Sequence, residues 1–284
     1  MRRHGNREEL GGAAMILASA SSIQLGAALA TTTFDTISPV SAVGVSYAFA
    51  ALFLLAVQSP RVREWTREKW RDAIVLGLVA AVASSALFLA LDHLPLGSAV
   101  TVQFLGPLGV AIWTGRRRRG VLIAAALAML GVALVSSATP SGDLVGIAFA
   151  LVAACGWALY ILAAPRVGRH SGAGEGLAVA MCVTAIVVLP FSAGAAPHLG
   201  SLEILGALAV VGIFGRAIPF RLELAALTRL RPSTAGVLFS VEPAIAALVG
   251  AVTLGESMAA TQYLGILAVV AAGTLVLRDV PEGG

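Results

Sequence analysis

Residues 90–113 read ALDHLPLGSAVTVQFLGPLGVAIW, and residues 226–249 read ALTRLRPSTAGVLFSVEPAIAALV. The two align without a gap, 136 residues apart. Ala90 meets Ala226, Leu94 meets Leu230, Ala99 meets Ala235 and Pro107 meets Pro243. Each is followed by an apolar run with a central glycine, LAMLGVALV at 127–135 and VVAAGTLVL at 269–277. A chain that repeats itself at half its length reads as two copies of one unit.

The nature of that unit follows from composition. Hydrophobic residues make up 58% of the chain and charged residues 12%, with a mean hydropathy of +0.91. A soluble domain carries about 25% charge, so this chain cannot cover a water-facing surface with polar groups. It belongs in a bilayer. Runs of roughly 20 apolar residues mark membrane helices, and ten such runs stand at 12–33, 39–57, 73–91, 98–114, 121–137, 144–163, 177–193, 204–227, 234–254 and 260–277. They lack the alternation of barrel strands, so helices are the expected spanning form. The first run follows a charged segment and has no small-residue cleavage site with a soluble domain behind it, which predicts a retained helix. The connections are too short to hold a soluble domain.

The loops predict orientation. Lys and Arg cluster in MRRHGNRE, RVREWTREKWR, GRRRRG, PRVGRH and TRLR and at Arg278, whereas FDTIS, DHLPLG, TPSGD, GAAPHLG and LGES carry none. With ten spans every basic loop falls on one side, and the positive-inside rule predicts both termini in the cytoplasm. An odd number of spans per copy makes the second copy enter from the opposite face. The expected fold is therefore an all-α integral membrane protein with two inverted five-helix repeats, at 10–137 and 143–278. Secondary transporters use this construction, with the substrate near the midplane between the repeats. Pro107 and Pro243 fall near the middle of the fourth and ninth runs, where each removes a backbone hydrogen bond. Their recurrence favours a hinge or cavity-shaping role over a proline tolerated by packing.

Ionisable groups at bilayer depth are functional candidates by default. Arg216 and Glu242 lie at similar expected depth in neighbouring antiparallel spans, close enough to pair. Arg221 and Glu223 are shallower and suit snorkelling to the interface. Gln24 and Tyr47 fall around the same depth, Phe88 and Gln103 nearer the outside, and Trp157 and Tyr160 along the sixth span, amides and aromatic rings that suit a cavity for an amphipathic solute. For each aromatic alone, packing is the competing reading. For Arg216 and Glu242 it is a plain structural ion pair.

Other chemistries are disfavoured. Cys155 and Cys182 sit within apolar runs and read as packing residues, and His4, His93, His170 and His198 lack a second ligand at metal-binding spacing. No metal, catalytic group or cofactor is expected. The chain has no G-x-x-x-x-G-K-[ST] loop, which argues against ATP hydrolysis. The basic pI of 9.7 and the Arg116–Arg119 run are explained by a topogenic loop rather than by nucleic acid. A membrane-embedded lipid-modifying enzyme would need clustered acids or a nucleophile with its base, and neither is present. Gly26 and Ala30, spaced by four, suit close helix packing; a homodimer stays open.

SIQLGAALA at 22–30, ALDHLPLGSAVTVQFLGPL at 90–108, IPFRLELAALTRL at 218–230 and GVLFSVEPAIAALVGAVTLGE at 236–256 resemble the threonine/homoserine exporter group of the EamA-type drug/metabolite transporter superfamily. The resemblance implies ten helices, with the first to fourth and sixth to ninth around a central cavity and the fifth and tenth outside. It implies export of amino acids or related small metabolites across the inner membrane, with drugs or other amphiphiles as the alternative cargo. The chain departs from the group at Gln103, where the fourth span usually carries Glu. It departs again near Tyr47, where the second span usually carries Arg, and at Arg216 and Arg221, where the eighth span has small polar residues.

Overall fold

The computed structural model describes residues 2–114, 118–137, 143–171, 173–198, 200–227 and 239–278. Among these every regular element is helical. In order they are α1 (Arg2–Thr31), α2 (Pro39–Gln58), α3 (Arg67–Leu91), α4 (Leu96–Gln103), α5 (Leu105–Thr114), α6 (Arg118–Ser137), α7 (Leu144–Ser171), α8 (Ala173–Val188), α9 (Leu202–Gly212), α10 (Ile218–Leu227), α11 (Glu242–Thr253) and α12 (Ala260–Arg278). A π-helical turn, Ile213–Ala217, joins α9 to α10.

Among the described residues, six helical stretches are long and apolar enough to cross a membrane: Gly11–Thr31, Pro39–Gln58, Arg67–Leu91, Leu144–Arg169, Gly174–Ala193 and Leu202–Glu223. Helices begin where the sequence supplies acceptors for their unpaired N–H groups. Ser38 accepts from the Ser41 N–H at 3.2 Å ahead of Pro39, and Asp143 accepts from the Gly146 N–H at 3.0 Å. That bond holds the Asp143 carboxyl below its ordinary range, with a further contribution from His93, whose Nδ1 lies 2.9 Å from Asp143 Oδ2.

The fourth predicted span is helical on both sides of a one-residue interruption at Phe104, whose backbone stays right-handed helical at φ −64° and ψ −14°. Pro107 explains the break, because it cannot donate to the Gln103 carbonyl four residues earlier and its ring clashes there. Ser240 and Val241 form the turn before α11, and Ser240 is the repeat partner of Phe104. Pro243 sits in the first turn of α11, just after that turn, where a missing N–H costs nothing. Residues 228–238, with Leu230, Ala235 and the start of the ninth predicted span, lie outside the described residues, as do Arg116, Arg117 and 138–142.

Packing runs mainly between helices from before residue 138 and helices from after residue 142. The dominant partners are α3 with α7, α6 with α12, α2 with α8, α3 with α8, α1 with α10, and α4 with α11. Small residues set the close crossings. A Cβ on Gly26 of α1 would lie 2.6 Å from Gly215 Cα in the π turn, and one on Gly97 of α4 would lie 2.8 Å from Ala247 Cα of α11. At the end of the bundle where α4 begins, Glu256 accepts the Leu96 N–H with both carboxylate oxygens, each at 3.0 Å. Burial pushes the Glu256 carboxyl up, opposed by that hydrogen bond. Gln262 Nε2 donates to Ser98 Oγ at 3.2 Å beside it.

Candidate functional site

The π turn that carries Arg216 holds one residue more than an α-helical turn, a distortion that re-aims a side chain and is common at functional sites. Gly212 and Gly215 let this wide turn sit against α2 and α1. The Arg216 side chain therefore reaches toward α2 and α3. Its Nε donates to Ser46 Oγ at 3.1 Å and its Nη1 to Ser84 Oγ at 3.4 Å. Ser84 also shares a 2.7 Å hydrogen bond with the Tyr47 hydroxyl. The guanidinium carbon lies 4.2 Å from the centre of the Tyr47 ring and 4.8 Å from that of Phe88, within cation–π range. Arg216 is 6% exposed, and its Nη2 is buried without a hydrogen-bond partner.

A second group stands next to the first. Trp157 and Tyr160 of α7 stack at 5.2 Å and an interplanar angle of 4°, and Phe220 of α10 lies 6.2 Å from Trp157 and 5.5 Å from Tyr160. Tyr47, Tyr160 and Phe220 share a cavity with Leu76, Met181 and Thr184. Its volume is about 10 Å³, room for one water at most. An amino-acid-sized solute enters only if the surrounding helices separate.

The acids form a third group. Glu223 Oε1 lies 2.8 Å from the Ser19 hydroxyl, which is also 3.1 Å from the Pro219 carbonyl. Glu223 is thus buried against α1 rather than snorkelling, whereas Arg221 is exposed as expected. Glu223 is near enough to Glu242 for the two carboxyls to interact. Glu242 opens α11, an end where the helix dipole favours an acid, and its Oε1 is buried without a partner. α11 runs 12 residues from Glu242, about 18 Å at 1.5 Å per residue, which places the carboxylate deep in the bundle.

Arg216 and Glu242 form no ion pair. The guanidinium has turned to the two serines and two aromatic rings, and the carboxylate remains separate. The structure brings Tyr47, Phe88 and Arg216 into contact, and Trp157 and Tyr160 beside them. Gln24 is buried two residues before the Gly26 crossing, and Gln103 is half-buried at the end of α4. Pro107 is half-buried and Pro243 buried. Ser46, Ser84, Ser19 and Phe220 were not singled out in the sequence, because serine and phenylalanine in apolar runs carry no distinguishing signal. No group of three or more possible metal ligands occurs among the described residues.

Comparison with known proteins follows from this geometry. The EamA-like transporter family matches residues 144–278. The threonine/homoserine exporter RhtA of Salmonella typhimurium strain LT2 is 34% identical over 278 residues, covering 94% of this chain and 92% of that protein. RhtA of Escherichia coli strain K12 is 32% identical over 274 residues, covering 93% and 91%. An uncharacterized transporter of Clostridium kluyveri is 31% identical over 133 residues, 46% of this chain. A crystal structure at 18% identity superposes with a TM-score of 0.65 over 93% of this chain and 96% of its own, which bears on the fold alone. The similarity runs through both copies of the repeat and every element that frames Arg216: this chain is a multi-pass membrane transporter and belongs to the EamA-like transporter family.

Proposed function

We propose that the chain is a secondary exporter of threonine, homoserine or closely related amino acids, working by alternating access in the inner membrane. The observation that carries this reading is a pair of buried polar atoms of opposite charge type, Arg216 Nη2 and Glu242 Oε1, each without a hydrogen-bond partner among the described residues. Such atoms cost about 1–3 kcal/mol each when left unmade. An amino acid brings a carboxylate for one and an ammonium for the other. Tyr47, Phe88, Gln24 and Gln103 then line the path around the zwitterion, and Trp157 and Tyr160 face its side chain. Pro107 and Pro243 shape the ends of the half-helices beside it.

Ten spans in two inverted repeats, 10–137 and 143–278, with both termini cytoplasmic, fit this mechanism. Three features support that arrangement. The helix interruptions at Phe104 and Ser240 occupy equivalent repeat positions. The principal contacts are preserved when the copies are exchanged: α3 with α7 is mirrored by α9 and α10 with α1, and α3 with α8 by α9 with α2, while α2 with α8 and α6 with α12 map onto themselves. The basic loops alternate along the chain. A cavity of about 10 Å³ corresponds to a closed arrangement, from which one repeat rocks against the other to admit solute.

Efflux from cells or reconstituted vesicles preloaded with labelled threonine or homoserine tests the proposal. Wild-type protein should export them without chemical conversion. Arg216→Gln and Glu242→Gln should each lower efflux at least tenfold while protein of normal size and helicity remains in the membrane. Wild-type efflux of lipophilic cations or dyes, with none of any amino acid in a broad panel, would transfer the function to the amphiphile reading that the Trp157–Tyr160–Phe220 cluster favours.

A further inference from the structure

A larger cavity, about 340 Å³, lies between α3 and α7 at their basic ends, lined by Arg71, Asp72, Val75, Ala163 and Arg166. It is far along both helices from Arg216. Asp72 is 5% exposed and holds Arg71 by one edge: Nε and Nη2 of Arg71 lie 3.2 and 3.1 Å from the same oxygen, Oδ1. That grip fixes the guanidinium while 65% of the Arg71 side chain stays exposed. Arg166 is exposed and makes no hydrogen bond or ion pair with another described residue. The cavity thus presents two cations against one carboxylate already engaged.

Its depth is marked independently. Trp65 and Trp70 pack edge to face at 5.4 Å beside the start of α3, and Trp70 is partly exposed. Tryptophans in this position belong at headgroup level. Below each arginine runs an exposed apolar stripe on the same helix face. On α3 the residues after Arg71 are Val75, Leu78 and Val82, and on α7 those preceding Arg166 are Leu162, Leu159 and Val152, all exposed. Spacings of three, four and seven keep each stripe under its arginine.

We propose that this cavity binds the phosphate headgroup of an anionic phospholipid, with an acyl chain laid along the two stripes. The guanidinium groups of Arg71 and Arg166 take the phosphate oxygens, for which they are suited as charged, multi-donor groups. Val75 and Ala163 form the apolar floor where headgroup passes into chain. Basic pockets between membrane helices select anionic headgroups on this basis. An anchored lipid would staple α3 to α7 at one end and leave the other free to open.

Native mass spectrometry of the detergent-solubilised full chain, offered phosphatidylglycerol or phosphatidylcholine, tests the assignment without reference to transport. Wild-type protein should retain phosphatidylglycerol preferentially. The double variant R71Q/R166Q should lose that retention by roughly thirtyfold, and R166Q alone by about fivefold, the size expected for one basic side chain at an anionic surface. R166Q removes a side chain without a partner among the described residues, so it should fold normally even if the double variant does not. Equal retention of the two lipids, or folded R166Q binding phosphatidylglycerol as tightly as wild type, overturns the proposal. Displacement of the lipid by millimolar glycerol 3-phosphate overturns it too, and would make the cavity a site for soluble phosphate.

Discussion

Arg216 is held in place by neutral partners. Two serine hydroxyls fix the direction of its guanidinium, two aromatic rings receive its charge, and one nitrogen stays uncommitted. A full ion pair would quench the site, since a buried charge that already has its counter-ion gains little from a second anion. Ser84 is central because it bonds both Arg216 and Tyr47. Ser84→Ala should lower transport about tenfold to a hundredfold, the worth of a hydrogen bond to a charged group at about 1.5–3 kcal/mol. The change should appear in apparent substrate affinity more than in yield of folded protein, and concentration-dependent efflux would measure it. Depth arithmetic on the sequence singled out Arg216 and Glu242, because charges in apolar runs are conspicuous. It did not give their partners. Ser46 and Ser84 become neighbours of Arg216 only through the crossing of three spans, and nothing local to them signals it.

Helix interruption governs the next scale. Pro107 follows a break and Pro243 follows a start, although they align in the repeat. Their replacement should have unlike effects. Pro107→Ala restores a donor for the Gln103 carbonyl and favours one straight helix over 96–114, so transport should fall while thermal stability holds or rises. Pro243→Ala changes a first-turn position with no hydrogen bond to regain, so both should stay near wild type. Efflux and thermal unfolding of the two variants in parallel check the contrast. A deeper loss for Pro243→Ala would mean that α11 extends beyond Glu242 in the working cycle. The element boundaries were legible where apolar runs met charged loops, as at α2, α3 and α7. They were illegible at Phe104, whose own side chain has no breaking tendency; Pro107, three residues on, creates the turn.

At the scale of the whole molecule, the gapless register of 90–113 against 226–249 is a property of the sequence alone, and the two inverted copies drawn from it belong to the proposal. How the earlier and later spans meet was not readable. The close approach of Gly26 to Gly215 and of Gly97 to Ala247 depends on which faces the spans turn to one another, and an almost wholly apolar span has no polar face to decide it. Helices from before residue 138 find their main partners after residue 142. The consequence reaches into biosynthesis. A ribosome that has completed the first 137 residues has released helices whose surfaces still await their counterparts, and contacts of such long sequence separation form late. Nascent α1 to α6 must therefore be sheltered, or remain loosely associated in lipid, until the rest is inserted. A chain truncated after residue 137 should be degraded rapidly in a pulse-chase experiment, and co-expression of residues 138–284 as a separate polypeptide should restore its lifetime.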